Sequence, residues 1–254
     1  MEPQPETATA TVRVCGQDIQ TTAEELKLAG LQVKDPADFT ALSQVVNLRT
    51  ITLSKMTFAD AEWDGSLANI KACRHLTHLN LTACRLGPKH AADLADVFSP
   101  SGGCNIDTLC LAKNGLTGAT FYSNGNVRGG VDSNLVGIST LLAALKTSQV
   151  ICIDFSGCGL GPGSMGHLAE YLRDAIAALN SLRCGSNPIT DKGMIPLLDA
   201  VKGIGLTELD ISKTQVGPPT AAKLAEVLAD GTPFSAALAV LNISGAFTPF
   251  TSSP

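Results

Sequence analysis

If this chain performs chemistry, a short list of residues must carry it. Gly161-Pro-Gly163-Ser-Met-Gly166 spells GxGxxG between an apolar run and a helix-like stretch. In that context backbone N–H groups can cradle a pyrophosphate at a helix N-terminus. A dinucleotide site also needs an acidic residue at the end of the following strand, and that strand reads Leu182-Arg183-Cys184. Gly161-Pro162 also recurs as Gly87-Pro88 and Gly217-Pro218, without the further glycines, which reads as punctuation rather than a nucleotide site. Cys73, His75 and His78 suggest metal ligands, yet one histidine falls in a loop and the other on a strand. Neither Cys73 nor Cys104 belongs to a CxxC pair spaced for zinc. Cys110 and Cys152 belong on adjacent strands two residues out of step, roughly 8 Å apart by strand spacing and rise and too far for a disulfide. Asn80-Leu-Thr82 and Asn242-Ile-Ser244 match the glycosylation sequon, but both lie within strands. No carboxylate pair and no Ser/His/Asp set falls where one fold would gather it. The expectation is therefore no catalytic residue, no cofactor and no metal.

The elements that must position these residues emerge from a repeat. Leu76-Thr-His-Leu79-Asn-Leu81-Thr-Ala-Cys84-Arg-Leu86 has the pattern LxxLxLxxCxL. Copies start at Ile106, Val150, Leu179 and Leu206, weaker ones occupy Leu48 to Phe58 and Leu238 to Ala246, and a degenerate one lies around Leu26 and Leu28. After each core pattern comes a second one: Gly87-Pro88, Gly161-Pro162 and Gly217-Pro218 each lead apolar residues four, seven, eight and eleven places on, one face of an α-helix. Proline at a helix start loses no needed N–H. Each unit reads as strand, turn and about three turns of helix, and stacked units share one core because neither element can bury its apolar side alone.

The unit length, the helix, and a Cys at 84 and 158 in the slot that holds Asn at 114 and 187 resemble the ribonuclease-inhibitor-like branch of leucine-rich-repeat proteins. The resemblance covers roughly residues 45–246. It implies an α/β fold, a leucine-rich-repeat solenoid curved as a right-handed arc, with parallel strands on the concave face and helices on the convex face. The family includes inhibitors, GTPase regulators, actin-assembly regulators and immune sensors, so the fold does not select a function.

Two departures matter. One step between repeats is 44 residues, because residues 118–133, rich in Gly, Asn and Ser and carrying Phe121 and Tyr122, are inserted before a helix at Leu135–Leu145. Insertions in such stacks form loops, often on the binding face, and this one is expected to protrude without disturbing the stack. At the C-terminus no closing helix follows Leu238–Ile243, leaving Phe247 and Phe250 to cover the last core layer, unless the chain is a fragment of a longer protein. Residues 1–10 are expected to be disordered, 11–45 to form an N-terminal cap or degenerate first repeat, 46–246 the repeats and 247–254 a tail.

Composition narrows the partners. The chain has 254 residues, 44% hydrophobic, 16% charged and 4% aromatic, with a net charge of −5. No basic stripe suits a phosphate backbone, which argues against nucleic acid. No apolar run is long enough for a membrane span, no secretory signal opens the chain, and eight cysteines then read as thiols in a cytoplasmic protein. The expected function is a non-catalytic, monomeric protein-binding scaffold or regulatory module. Its strand-face column Thr52, Asn80, Cys110, Asp154, Arg183, Asp210, Asn242 is backed by small residues two places on. Contact should centre on Asp154, Arg183, Glu208 and Asp210, helped by Phe121 and Tyr122, although Arg183 between Asp154 and Asp210 can also be read as a cross-strand ion ladder. The alternative is a structural component of a cytoskeletal or multi-protein assembly.

Overall fold

A computed structural model describes residues 10–99, 105–175, 179–229 and 231–247. The expectations for residues 1–9, Cys104 and Phe250 lie outside the described residues. An antiparallel hairpin of β1 (Thr11–Val14) and β2 (Gln17–Gln20) precedes β3 (Glu25–Ala29) and a 3-10 helix at Pro36–Gln44. Strand and helix then alternate: β4 (Thr50–Ser54), α1 (Asp60–Lys71), β5 (His78–Asn80), α2 (Pro88–Leu94), β6 (Thr108–Cys110). The insertion contributes β7 (Thr120–Phe121) and β8 (Val127–Gly129), followed by α3 (Val136–Leu145) and β9 (Cys152–Asp154). The chain continues through α4 (Pro162–Asp174), β10 (Ser181–Arg183), α5 (Thr190–Val201), β11 (Glu208–Asp210), α6 (Pro218–Val227), α7 (Pro233–Ala237) and β12 (Val240–Asn242).

One parallel eight-stranded sheet, β12-β11-β10-β9-β6-β5-β4-β3, runs in chain order with β7 and β8 set aside as a separate hairpin. Successive strands pair without slippage, Leu26 opposite Ile51, Leu79 opposite Leu109, Leu182 opposite Leu209. The register is held because each strand buries its central apolar residue, and a one-residue slip would turn that residue to water. Ile51, Leu79, Leu109, Ile153, Leu182 and Leu209 are all buried, and helix residues such as Trp63, Leu94, Leu141, Leu168, Leu197 and Leu224 close the same core from the other side. Pro88, Pro162 and Pro218 are the first residues of α2, α4 and α6, each behind a glycine.

The slot of Cys84, Asn114, Cys158, Asn187 and Thr214 explains the Asn/Cys alternation. The Asn114 amide donates to Leu81 O and Leu111 O at 2.8 Å while its oxygen accepts from Leu86 N. Asn187 repeats this with Phe155 O, Cys184 O and Leu160 N. A thiol serves the slot with less, as Cys84 and Cys158 donate only to backbone oxygens, across to Leu53 O and Leu111 O respectively. All five residues are buried, so each donor or acceptor there needs a partner, which the Thr214 hydroxyl finds within its own repeat at Ile211 O.

After each strand of the main sheet the chain turns through a left-handed residue: Gly30, Lys55, Ala83, Lys113, Gly157, Ser186, Lys213 and Gly245, with φ between 54° and 69°. The N–H of each of the first seven donates to a carbonyl of the next repeat, as Lys113 N does to Ser156 O at 2.7 Å. The sheet ladder is thereby prolonged into the turns along one edge of the stack.

Candidate functional site

On the strand face the charged residues meet differently from a simple ladder. Register places Arg183 opposite both Asp154 and Asp210. Its ion pair, however, is with Glu208: Nε and Nη2 donate to Oε1 at 2.9 and 2.8 Å, and the other oxygen accepts from Ser181 Oγ at 2.7 Å. The two aspartates are already engaged. Asp154 Oδ1 accepts from Ser156 N at 2.8 Å, Asp210 Oδ1 from Ser212 N at 2.9 Å, and Asp210 Oδ2 from the Asn242 amide. Asn80 and Asn242 accept the N–H and hydroxyl of Thr82 and Ser244 in the same way. Both sequons are therefore Asx turns that end strands. The hydrogen bond from Arg183, then that from Ser181, holds Glu208 below the usual carboxylate range, and Glu208 in turn raises the Arg183 guanidinium. Arg183 stays half exposed, its side chain 49% accessible.

The insertion stands aside from the main sheet as a hairpin, and its two ends clasp the next repeat. Thr117 and Ala119 are buried, and Thr117 Oγ1 donates to Gly159 O of the next repeat at 2.7 Å. Gly159 has no room for a side chain, because a Cβ there would lie 2.1 Å from Ala119 Cβ. At its far end Asp132 reaches α4: Oδ1 accepts from Gly161 N at 3.0 Å and Oδ2 from Gly163 N at 2.7 Å and Ser164 N at 3.3 Å. The N–H groups of the GxGxxG motif are thus already occupied by the chain's own carboxylate. Asp191 does the same two helices later, at α6, accepting from Gly217 N at 2.8 Å and from both the N–H and hydroxyl of Thr220. Burial opposes ionisation of Asp191, but these three donors hold it below the usual carboxylate range. Only the hairpin tip is free, with Phe121 half-buried and Tyr122 56% exposed.

Phe121 and Tyr122 do not join the charged patch. They wall a long open groove of about 1570 Å³ along the turn edge, none of whose lining residues is Asp154, Arg183, Glu208 or Asp210. Its floor is built from the left-handed turns, including Lys113, Gly157, Ser186 and Lys213, and Arg85 and Phe247 lie towards its ends. Single charges at positions 85, 113 and 213 gave no clustering signal in the sequence; aligning the turn slots would have revealed it.

Cysteine chemistry is muted. Cys15, Cys84, Cys110, Cys152, Cys158 and Cys184 are free thiols, and Cys110 faces Asp154 rather than Cys152 across the strands. Burial pushes Cys84 up to about 11, and Cys15, also near Asp38, up to about 12. Among the described residues no group of three His, Cys, Asp or Glu is arranged to hold a metal ion, and no helix is long and apolar enough to cross a membrane.

The family model for the Leucine Rich repeat matches residues 72–94, which run from the approach to β5 through α2. No curated protein matches the chain. Among solved structures a plant ice-binding protein is similar with 17% identity and a TM-score of 0.40, over 87% of this chain and 64% of that one, so the chain spans under two thirds of its length. An internalin from Listeria monocytogenes is similar with 12% identity and a TM-score of 0.29, over 92% of this chain and 85% of that one. The matched segment is one of the strand–turn–helix units that pair in register through the parallel sheet.

Proposed function

We propose that this chain is a non-catalytic protein-binding module, a scaffold or regulator of the ribonuclease-inhibitor-like branch, cytoplasmic and monomeric in isolation. In this reading residues 11–45 cap a curved right-handed arc, 46–246 form its repeats and 247–254 a tail. The strand face is the concave wall on which a partner protein docks. One observation carries the reading: a half-exposed guanidinium, fixed by Glu208 and flanked by Asp154 and Asp210, stands on a wall of small neighbours. Fixed charges on such a wall set the rate and register of encounter, and an aromatic rim supplies affinity. Phe121 and Tyr122 would provide that rim from the turn edge.

The test is capture of a partner from native extract, identification by mass spectrometry, and affinity measurement with purified components. Arg183→Glu should weaken binding about tenfold or more while the chain stays folded. If Arg183→Glu and a Phe121→Ala/Tyr122→Ala double variant both bind with unchanged affinity, the strand face is not the docking surface.

A further inference from the structure

The turn-edge groove differs electrically from the rest of the molecule. The chain carries a net charge of −5, yet among the groove's lining residues are three cations, Arg85, Lys113 and Lys213, and no carboxylate. All three are exposed and form no ion pair among the described residues. Some lysines elsewhere are neutralised, as Lys89 is by Asp64 and Asp93 and Lys202 by Glu226, while Lys34, Lys55 and Lys192 stand singly, without an ion pair among the described residues, rather than gathered in one groove. The hairpin contributes Phe121 and Tyr122 to a lining that also includes the small residues Gly157 and Ser186.

We propose that this groove docks an extended acidic peptide segment of a partner protein. The inference rests on the reading of the chain as a protein-binding module, but not on the Arg183 patch. Size supports it: about 1570 Å³ exceeds the usual 300–1,000 Å³ of a small-molecule pocket, and the lining runs across successive repeats. Lys113 follows β6 and Lys213 follows β11, three strands apart, or about 14 Å at ~4.8 Å per strand. An extended peptide rising ~3.3 Å per residue covers that distance in about four residues. Acidic side chains near its two ends would meet Lys113 and Lys213. An apolar side chain between them would sit over Gly157 and Ser186 against Phe121 and Tyr122. A nucleic acid fits less well, because the surrounding net negative charge repels a continuous phosphate backbone.

Fluorescence anisotropy with three labelled probes tests this. The first is an octapeptide alternating glutamate and leucine around a central phenylalanine, the second its lysine-for-glutamate counterpart, the third octauridylate. Lys113→Gly/Lys213→Gly removes both charges where Gly157 and Gly245 already occupy the same left-handed slot, so backbone strain cannot explain a loss. The double variant should bind the acidic peptide at least about tenfold more weakly, whereas Lys55→Gly (same slot, outside the groove) and Arg183→Glu should each change it less than about twofold. Several results would overturn the proposal: no binding of the acidic peptide, equal binding of the lysine peptide, tighter binding of octauridylate, or unchanged affinity in the double variant. Loss of the peptide in Arg183→Glu alone would reject the groove and leave the strand-face reading intact. Unchanged peptide binding in Arg183→Glu, with native-partner affinity also unchanged, would reject the strand face and leave the groove.

Discussion

Asp132→Asn isolates what the insertion does for the stack. Asp132 adopts a left-handed backbone, φ 53°, which asparagine tolerates well, so the change acts on the side chain. The native carboxylate divides its oxygens, one serving Gly161 N and the other Gly163 N and Ser164 N. An amide has only one oxygen. Its NH2 must face either Gly161 N–H or the Gly163 and Ser164 pair, and donor then meets donor. Losing one such hydrogen bond costs about 1 kcal/mol, and losing the negative charge at a helix N-terminus costs about 0.5–1 kcal/mol more. A total near 2 kcal/mol lowers the melting temperature by about 4–8 °C in a chain of this size. Differential scanning calorimetry reads this directly, and because neighbouring repeats are coupled through this contact the transition should also broaden. A companion variant that shortens only the tip, residues 122–126, should leave the melting temperature within about 2 °C, since loop-length entropy changes slowly. If Asp132→Asn melts within about 1 °C of the parent chain, the carboxylate does not clamp α4 and the clasp description is wrong.

Asp191 should make stability sensitive to acid. Its carboxyl is held below its unfolded value, so the stabilisation is present above about pH 4 and is lost as pH falls through the depressed native value; the gap in urea midpoint between the parent and Asp191→Asn should therefore shrink as pH falls below about 4. A gap that stays constant would show that ionisation of Asp191 is irrelevant. Tyr171 is buried, and its hydroxyl finds no partner among the described residues, while burial pushes its phenol up to about 12. Tyr171→Phe should therefore raise stability by about 1 kcal/mol, seen as a higher urea midpoint with unchanged slope, and a loss of similar size would reveal a missed partner. Thiol titration of the denatured chain should return all eight cysteines, whereas Cys84, Cys158 and Cys184, all buried, should resist alkylation at pH 8 in the native state; two or more missing thiols would contradict the reading.

Much of the architecture could be read from periodicity because the buried slots recur. Leu79, Leu109 and Leu182 lie in strands whose neighbours demand the same side chain in the same register, and Gly-Pro marks three helix starts. Contacts made once were harder to read. Asp132 lies 29 residues before its partner Gly161, inside the one irregular segment of the chain. Yet Asp191 lies 26 residues before Gly217 and makes the same contact, so an acidic residue about one repeat ahead of Gly-Pro was a usable signal. The third instance is altered: Asp60 precedes Gly87, but His90 accepts the Gly87 N–H and stands 3.9 Å from Asp60. On the strand face, position was readable and pairing was not. Register brings Arg183 beside Asp154 and Asp210, but both aspartates close Asx turns, and the guanidinium is received by one oxygen of Glu208, whose other oxygen serves Ser181.

The left-handed turn slot gives a last prediction that separates structural lysines from ligand-binding ones. A residue bearing a Cβ pays about 1–2 kcal/mol for the left-handed conformation, which glycine avoids, and Gly30, Gly157 and Gly245 occupy three of the eight slots. Lys55, Lys113 and Lys213 nevertheless stand in three. Replacing Lys113 and Lys213 by glycine relieves that strain but gives back about 0.5–1 kcal/mol per site through the greater freedom of the unfolded chain. Neither lysine gives up an ion pair among the described residues, and the backbone N–H bonds to Ser156 O and Ser244 O remain. The net change should lie between zero and about 1 kcal/mol of added stability per site. Urea denaturation of Lys113→Gly/Lys213→Gly should accordingly show a midpoint equal to or above the parent's, with unchanged slope. A midpoint lower by the equivalent of about 2 kcal/mol would mean that the lysine stems pack against the turns, and any loss of peptide binding in that variant would then have a structural cause. An equal or higher midpoint means that these side chains do nothing for the fold, and that strained backbone positions carry cations whose only available role is outside it.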